Sequence, residues 1–173
     1  MAKSAKSDSF FLRSSVDINQ DGNYYQAAID LGAYVDALGK SVMRIHNIAV
    51  SFTDANGRNL DLTGITATSA DYQLLTQSAT DIILASDRSI ISTGKINAQR
   101  SISGNGVAGT VSHDYDVLPQ MWTNGYLVGV DTIYFGGAAS TLWNENVWVS
   151  MVLECTVETL TQNAAMALAL SQQ

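Results

Sequence analysis

The chain has 173 residues, 46% hydrophobic and only 14% charged, with a formal net charge of −7, which makes it the size of one domain able to bury about 70% of its unfolded surface. The acidic balance, with nine scattered Lys and Arg, excludes the clustered cations on which nucleic-acid binding draws. The lone Cys155 excludes an intrachain disulfide and a Cys-based zinc motif, and no apolar run reaches signal-peptide or membrane-span length, so no passage through a secretory pathway is expected.

Residues 1–12 open with the small, polar MAKSAKSDS, which holds the close basic pair Lys3 and Lys6 and reads as a flexible arm. The body is expected over 13–160. FFLRSSVDI is the first strand candidate, and its Phe10 and Phe11 are candidate contact residues. In VDINQDG, Asp17, Asn19, Asp21 and Gly22 match the start of a calcium loop, but its twelfth position is Ala28, which offers no ligand. The stretch reads as a polar turn in which short side chains bond their own backbone. YYQAAIDL is a strand candidate, while the overlapping AAIDLGAYVDALGK competes as a helix weakened by Gly32 and Gly39. ALGKS ends like a phosphate-binding loop but has Tyr34 where that loop needs its first Gly.

SVMRIHNIAVSFT is a long strand whose period slips: Met43 and Ile45 share one parity, Ile48, Val50 and Phe52 the other. A bulge near His46-Asn47 returns both sets to one face. Asn56-Gly57 then predicts a hairpin over 42–62 that returns through RNLDL. DYQLLTQ, TDIILAS, RSIISTGKI, GVAGTVSHDYDV and GYLVGVDTIYFGG are further strand candidates. Turn signals fall at Asp21-Gly22, Gly39, Ser86-Asp87, Gly104-Asn105-Gly106, Asn124-Gly125 and Gly136-Gly137. His113, beside Asp114 and Asp116, has no second His or Cys at ligand spacing and reads as part of a solvated loop before Pro119. No nucleophile, base and orienter stand in a recognisable pattern, so neither catalysis nor a cofactor is expected.

The clearest element is NVWVSMVLECTVETL. Val147, Val149, Met151, Leu153, Cys155 and Val157 lie on one face, Trp148 and the polar residues on the other. Glu154 and Glu158 read as solvated or cross-strand partners. Trp122, Trp143 and Trp148 concentrate the large aromatics in the last third, as candidate contact surfaces, sugar platforms or cover for loops. Residues 161–173 predict a short helix with Thr161 as N-cap, packing through Met166 and Leu170.

About eight strands at short spacing make this an all-β chain, a sandwich or barrel with a short C-terminal helix or extended tail. With its size, N-terminal segment, Gly/Asn turns and closing strand running into TQNAAMALALSQQ, the layout resembles the small single jelly-roll major capsid proteins of tailless icosahedral viruses that enclose a membrane, the kind found in viruses of Thermus and of halophilic archaea. The resemblance implies an eight-stranded jelly roll and a homo-oligomer that forms a virion shell with a second capsid protein. It also implies an internal membrane beside the shell, no direct contact with the genome, no small-molecule substrate and no enzymatic activity. Phe10, Phe11, Trp122, Trp143, Trp148, Met166 and Leu170 are then the candidate assembly residues. A carbohydrate-binding sandwich that uses the three tryptophans, or a spike or adhesin component, is the alternative.

Overall fold

The computed structural model describes residues 6–36, 38, 40–103 and 106–173. The turn signals at Gly39 and Gly104-Asn105, and the first five residues of the expected arm, lie outside them. Among the described residues nine strands form two antiparallel sheets: β1 (Phe10–Asp17), β9 (Trp148–Thr159), β3 (Ser41–Thr53) and β7 (Tyr126–Val128) in one, β2 (Tyr24–Asp30), β8 (Thr132–Ala139), β4 (Ala67–Leu75), β5 (Ile90–Ser103) and β6 (Gly106–Val117) in the other. The pairing is nested. β1 pairs with β9, β2 with β8, β3 with β7 and β4 with β5. A long antiparallel hairpin wound up so that its ends meet gives this order, which is the jelly roll. β6 is a fifth strand added to β5 at the edge of the second sheet.

The core lies between the sheets. Met43, Ile45, Phe52, Val149, Met151 and Leu153 of the first meet Tyr72, Leu74, Ile96, Ile133 and Phe135 of the second. Phe52, Tyr72 and Phe135 make tilted ring contacts at 6.1 and 6.2 Å, a favoured aromatic geometry. The buried Tyr72 hydroxyl is satisfied by Ser92 Oγ at 3.0 Å. Burial of each such side chain contributes about 1.5–3 kcal/mol. The expected bulge is present: the β3–β9 register shifts between Ile45 and Asn47, which returns Ile48 and Phe52 to the core.

Several local expectations change. FFLRSSVDI starts as a strand at Phe10, so residues 10–12 belong to the sheet, not to an arm. The described residues of AAIDLGAYVDALGK form no helix: β2 takes the first of them into pairing with β8, and Leu31 then accepts the Tyr34 and Val35 amides in a single turn. Asn56-Gly57 makes its turn, with Asp54 Oδ1 accepting from the Asn56 and Arg58 amides at 2.8 and 2.7 Å, but RNLDL is no strand. β3 is already paired with β9 on one side and β7 on the other. TDIILAS is a loop: both backbone polar groups of Ile83 bond the Gln73 side-chain amide, at 2.6 and 3.2 Å, in place of a strand ladder. Gly136-Gly137 is not a turn but the middle of β8. A Cβ on either residue would collide with backbone of the flanking strands, at Tyr25 and Asp71, so glycine here serves close approach.

The C-terminal helix, α1 (Gln162–Ser171), has its expected cap, Thr161 Oγ1 accepting from the Ala164 amide at 3.3 Å. It packs, however, through Ala165 and Ala169, while Met166 and Leu170 are exposed. Gly129 comes right against Leu168 and the Ala169 backbone, so the helix turns the side that carries these residues inward and leaves Met166 and Leu170 in solvent. Beyond the helix, buried Gln172 accepts from the Gly129 amide at 2.8 Å, donates to Leu127 O at 2.7 Å, and takes the Thr76 hydroxyl on its own carbonyl at 3.0 Å. The tail is fastened to its own body.

Candidate assembly surface

The strands with one unpaired side are β1 and β7 in the first sheet and β2 and β6 in the second. Exposed strand edges are templates for pairing with another chain unless they are shortened, capped or charged. β7 is only three residues long. Past it, the side-chain amide of Gln120 closes the β3 edge like a strand residue, accepting from Ile48 N at 3.1 Å and donating to Ile48 O at 3.0 Å. Among the described residues β1 and β6 carry no such cap.

β6 alternates like a core strand. Val111, His113 and Tyr115 share the face of their β5 partners Ala98, Ile96 and Gly94, which are buried. Yet Val111 is 44% and Tyr115 43% exposed, because the opposing sheet has four strands and ends in short β7. A cavity of about 290 Å³ opens at this side, lined by Phe52, Leu60, Leu62, Val111, His113 and Trp143 among others. His113 is thus a strand residue at a cavity, not part of the predicted loop, with its ring 6.2 Å from those of Phe52 and Tyr115.

β1 presents the second open edge. Leu12 and Val16 face inward, Phe11 and Arg13 outward. Phe11 is 53% exposed, with the Arg13 guanidinium 5.7 Å above its ring. Among the described residues the ion pairs are Lys6–Glu158, Arg44–Glu158 and Lys95–Asp116, so Arg13 has no anionic partner there.

The seven candidate contact residues do not share one patch. Phe10 is half-buried and stacked on Tyr34 at 4.5 Å. Trp143 sits on the predicted loop but is buried, donating from Nε1 to Ser69 O at 3.0 Å, which removes it as a contact or sugar platform. Trp148 is half-buried on the outer face between Asp17 and Thr53. Trp122, Met166 and Leu170 are exposed. Val111 and Tyr115, exposed on β6, are not among the seven, although the alternation of GVAGTVSHDYDV already hinted at an amphipathic strand.

The carboxylates of the Asp17–Asp21 turn are occupied locally. Asp17 and Asp21 accept from the Asn19 and Asn23 amides at 2.9 and 3.0 Å, and Tyr25 donates to Asp21 at 2.6 Å, which holds the Asp21 carboxyl below its ordinary range. Asn19 and Gly22 adopt φ of 55° and 77°, the left-handed conformation of a polar turn. Among the described residues no group of three or more His, Cys, Asp and Glu is placed to hold a metal ion. Glu158 is a cross-strand partner: Arg44 donates from Nε and Nη2 at 2.7 and 2.8 Å, and Lys6 Nζ lies 3.0 Å away. These cations bring its carboxyl from 4.5 down to about 2. Burial pushes the Cys155 thiol up to about 12.

No family model matches the chain, and no curated protein does. Among solved structures, a chain of Desmodium yellow mottle tymovirus is similar at 9% identity over 92% of this chain and 90% of that one, with a TM-score of 0.38. The tailspike protein gp49 of Acinetobacter baumannii bacteriophage Fri1, a capsular polysaccharide depolymerase, is similar at 12% identity over 91% of this chain and 21% of that one, with a TM-score of 0.21. At these scores neither likeness bears on function.

Proposed function

We propose that this chain is a coat subunit: a rigid jelly-roll block whose work is to tile, with copies of itself and a second coat protein, into the shell of an icosahedral virion. One observation carries the reading. The wound double hairpin leaves strand-long edges without a neighbouring strand, and two of them, β1 and β6, display exposed apolar side chains next to polar ones. An edge of that kind invites pairing with another chain.

Two features support a block over a flexible adaptor. Lys6 and Ser7 are tied to β9, Ser7 N bonding Val157 O at 3.0 Å, and Gln172 is buried at the other end of the chain. The low charge content lets neutral polar surfaces meet without long-range repulsion, and the net charge of −7 suits a shell that does not grip its genome, such as one lying against an internal membrane. In this reading the chain carries out no chemistry.

The test is the particle mass of the purified protein, by light scattering and negative-stain imaging, alone and with its co-expressed structural partners. Rings, sheets or shells are expected. A protein that stays monomeric at its highest soluble concentration in both settings overturns the coat role.

A further inference from the structure

Resting on the coat reading, we infer that neighbouring copies join head to tail, the β1 edge of one pairing antiparallel with the β6 edge of the next, with Arg13 set against Asp114.

The occupant of each edge follows from charge. Of the four edge strands, β1 is the only one that holds a cation, Arg13, with Asp17 at its far end; β2 contributes Asp30, β6 contributes Asp114 and the Lys95-paired Asp116, and β7 holds no charge. Arg13 is outward-facing and has no anionic partner among the described residues. Asp114 is exposed and, among the described residues, takes only the Asn97 amide, at 2.8 Å. Self-pairing of β6 would bring two acidic strands together, whereas β1 offers the acidic edge a positive centre. Opposite charges on facing strands are favourable and like charges unfavourable by similar amounts.

The register then fixes itself. Arg13 opposite Asp114 runs residues 10–17 against 117–110, which uses the whole of β1. Leu12 falls against Tyr115 and Val16 against Val111 on the inner face, so both exposed apolar residues of β6 acquire apolar partners. Phe11 meets Asp116 on the outer face beside the guanidinium. Set against Asp30 of β2 instead, Arg13 would leave only 13–17 overlapping 26–30. Because the two edges differ, the contact is heterologous: each subunit keeps one edge free after pairing, and copies propagate into rings or lattices instead of stopping at a dimer.

Charge reversal tests this without touching the core. Arg13→Glu and Asp114→Arg should each raise the protein concentration at half-assembly by about tenfold, read by light scattering and sedimentation. The double variant R13E/D114R should return it to the wild-type value. An equimolar mixture of the two single variants should assemble as well, since every contact between unlike copies is again complementary. Wild-type assembly with R13E unchanged overturns the edge contact and leaves the coat reading standing, as does a double variant that fails to recover. A wild-type protein that never assembles removes both.

Discussion

β9 and β6 follow the same two-residue rhythm yet end in opposite states. In β9 the inward side chains Val149, Met151, Leu153 and Cys155 are at most 1% exposed, since β1 and β3 flank the strand and the second sheet covers it. In β6 the equivalent Val111 and Tyr115 stay above 40% exposed, since β6 is the fifth strand facing a four-stranded sheet. Alternation therefore reports which face could be buried; whether it is buried depends on the layer opposite. The largest expected contrast follows directly. Leu153→Ala should cost about 2–5 kcal/mol, seen as a lower urea midpoint at unchanged slope. A loss under about 1 kcal/mol would mean that β9 is not the packed centre of the sandwich.

That contrast also marks how far the sequence could be read. The β9 alternation and the slip in β3 were legible because each is a local period, and a two-residue repeat has one buried face wherever a sheet covers it. The polar turn at Asp17–Gly22 was legible for the same reason, being settled by side chains two residues apart. What stayed hidden depends on partners far along the chain. Nothing in RNLDL shows that both sides of β3 are taken, and nothing in TDIILAS shows that Gln73 will take its backbone bonds. The packing stripe of α1 was misread because Met166 and Leu170 look like natural core residues, whereas Gly129 receives Leu168 and Ala169 and the buried side of the helix runs through Ala165 and Ala169. The open edges, and with them Arg13 and Asp114, become visible only once strand order is known.

The outer face of the same β9 strand carries the next effect. Glu158 is 4% exposed and holds Arg44 with two hydrogen bonds, while Lys6 is mostly exposed and adds little. Glu158→Gln should cost on the order of 2 kcal/mol at neutral pH. The sign with pH follows from the depressed folded-state value of about 2 against an ordinary 4.5. The carboxylate's contribution is complete above 4.5 and is lost as pH falls toward 2, so denaturation curves of wild type and variant should converge across that window. A gap that widens on acidification would contradict the ion pair.

Gln172 offers a test at the chain's other fastening. Gln172→Ala strips the buried Gly129 amide and the Leu127 carbonyl of their partner, a loss of about 1–3 kcal/mol. Because the contact holds α1 and not the sandwich, the effect should be local: faster hydrogen exchange over 162–171 with β3 and β9 protection unchanged. Uniform loss of protection would make the tail part of the core.

The smallest effect on the free subunit sharpens the opening contrast most. Val111→Ser alters a side chain that is 44% exposed, so the urea midpoint of the monomer should move by less than about 0.5 kcal/mol equivalent. The same change removes the apolar partner that Val16 of a neighbouring copy would meet, so the concentration at half-assembly should rise several-fold. Stability and assembly thus separate at this position, while Leu153→Ala lowers both together. If Val111→Ser unfolded the subunit as strongly as the core substitution, the β6 face would be covered by its own chain after all, and the overhang that distinguishes β6 from β9 would not exist.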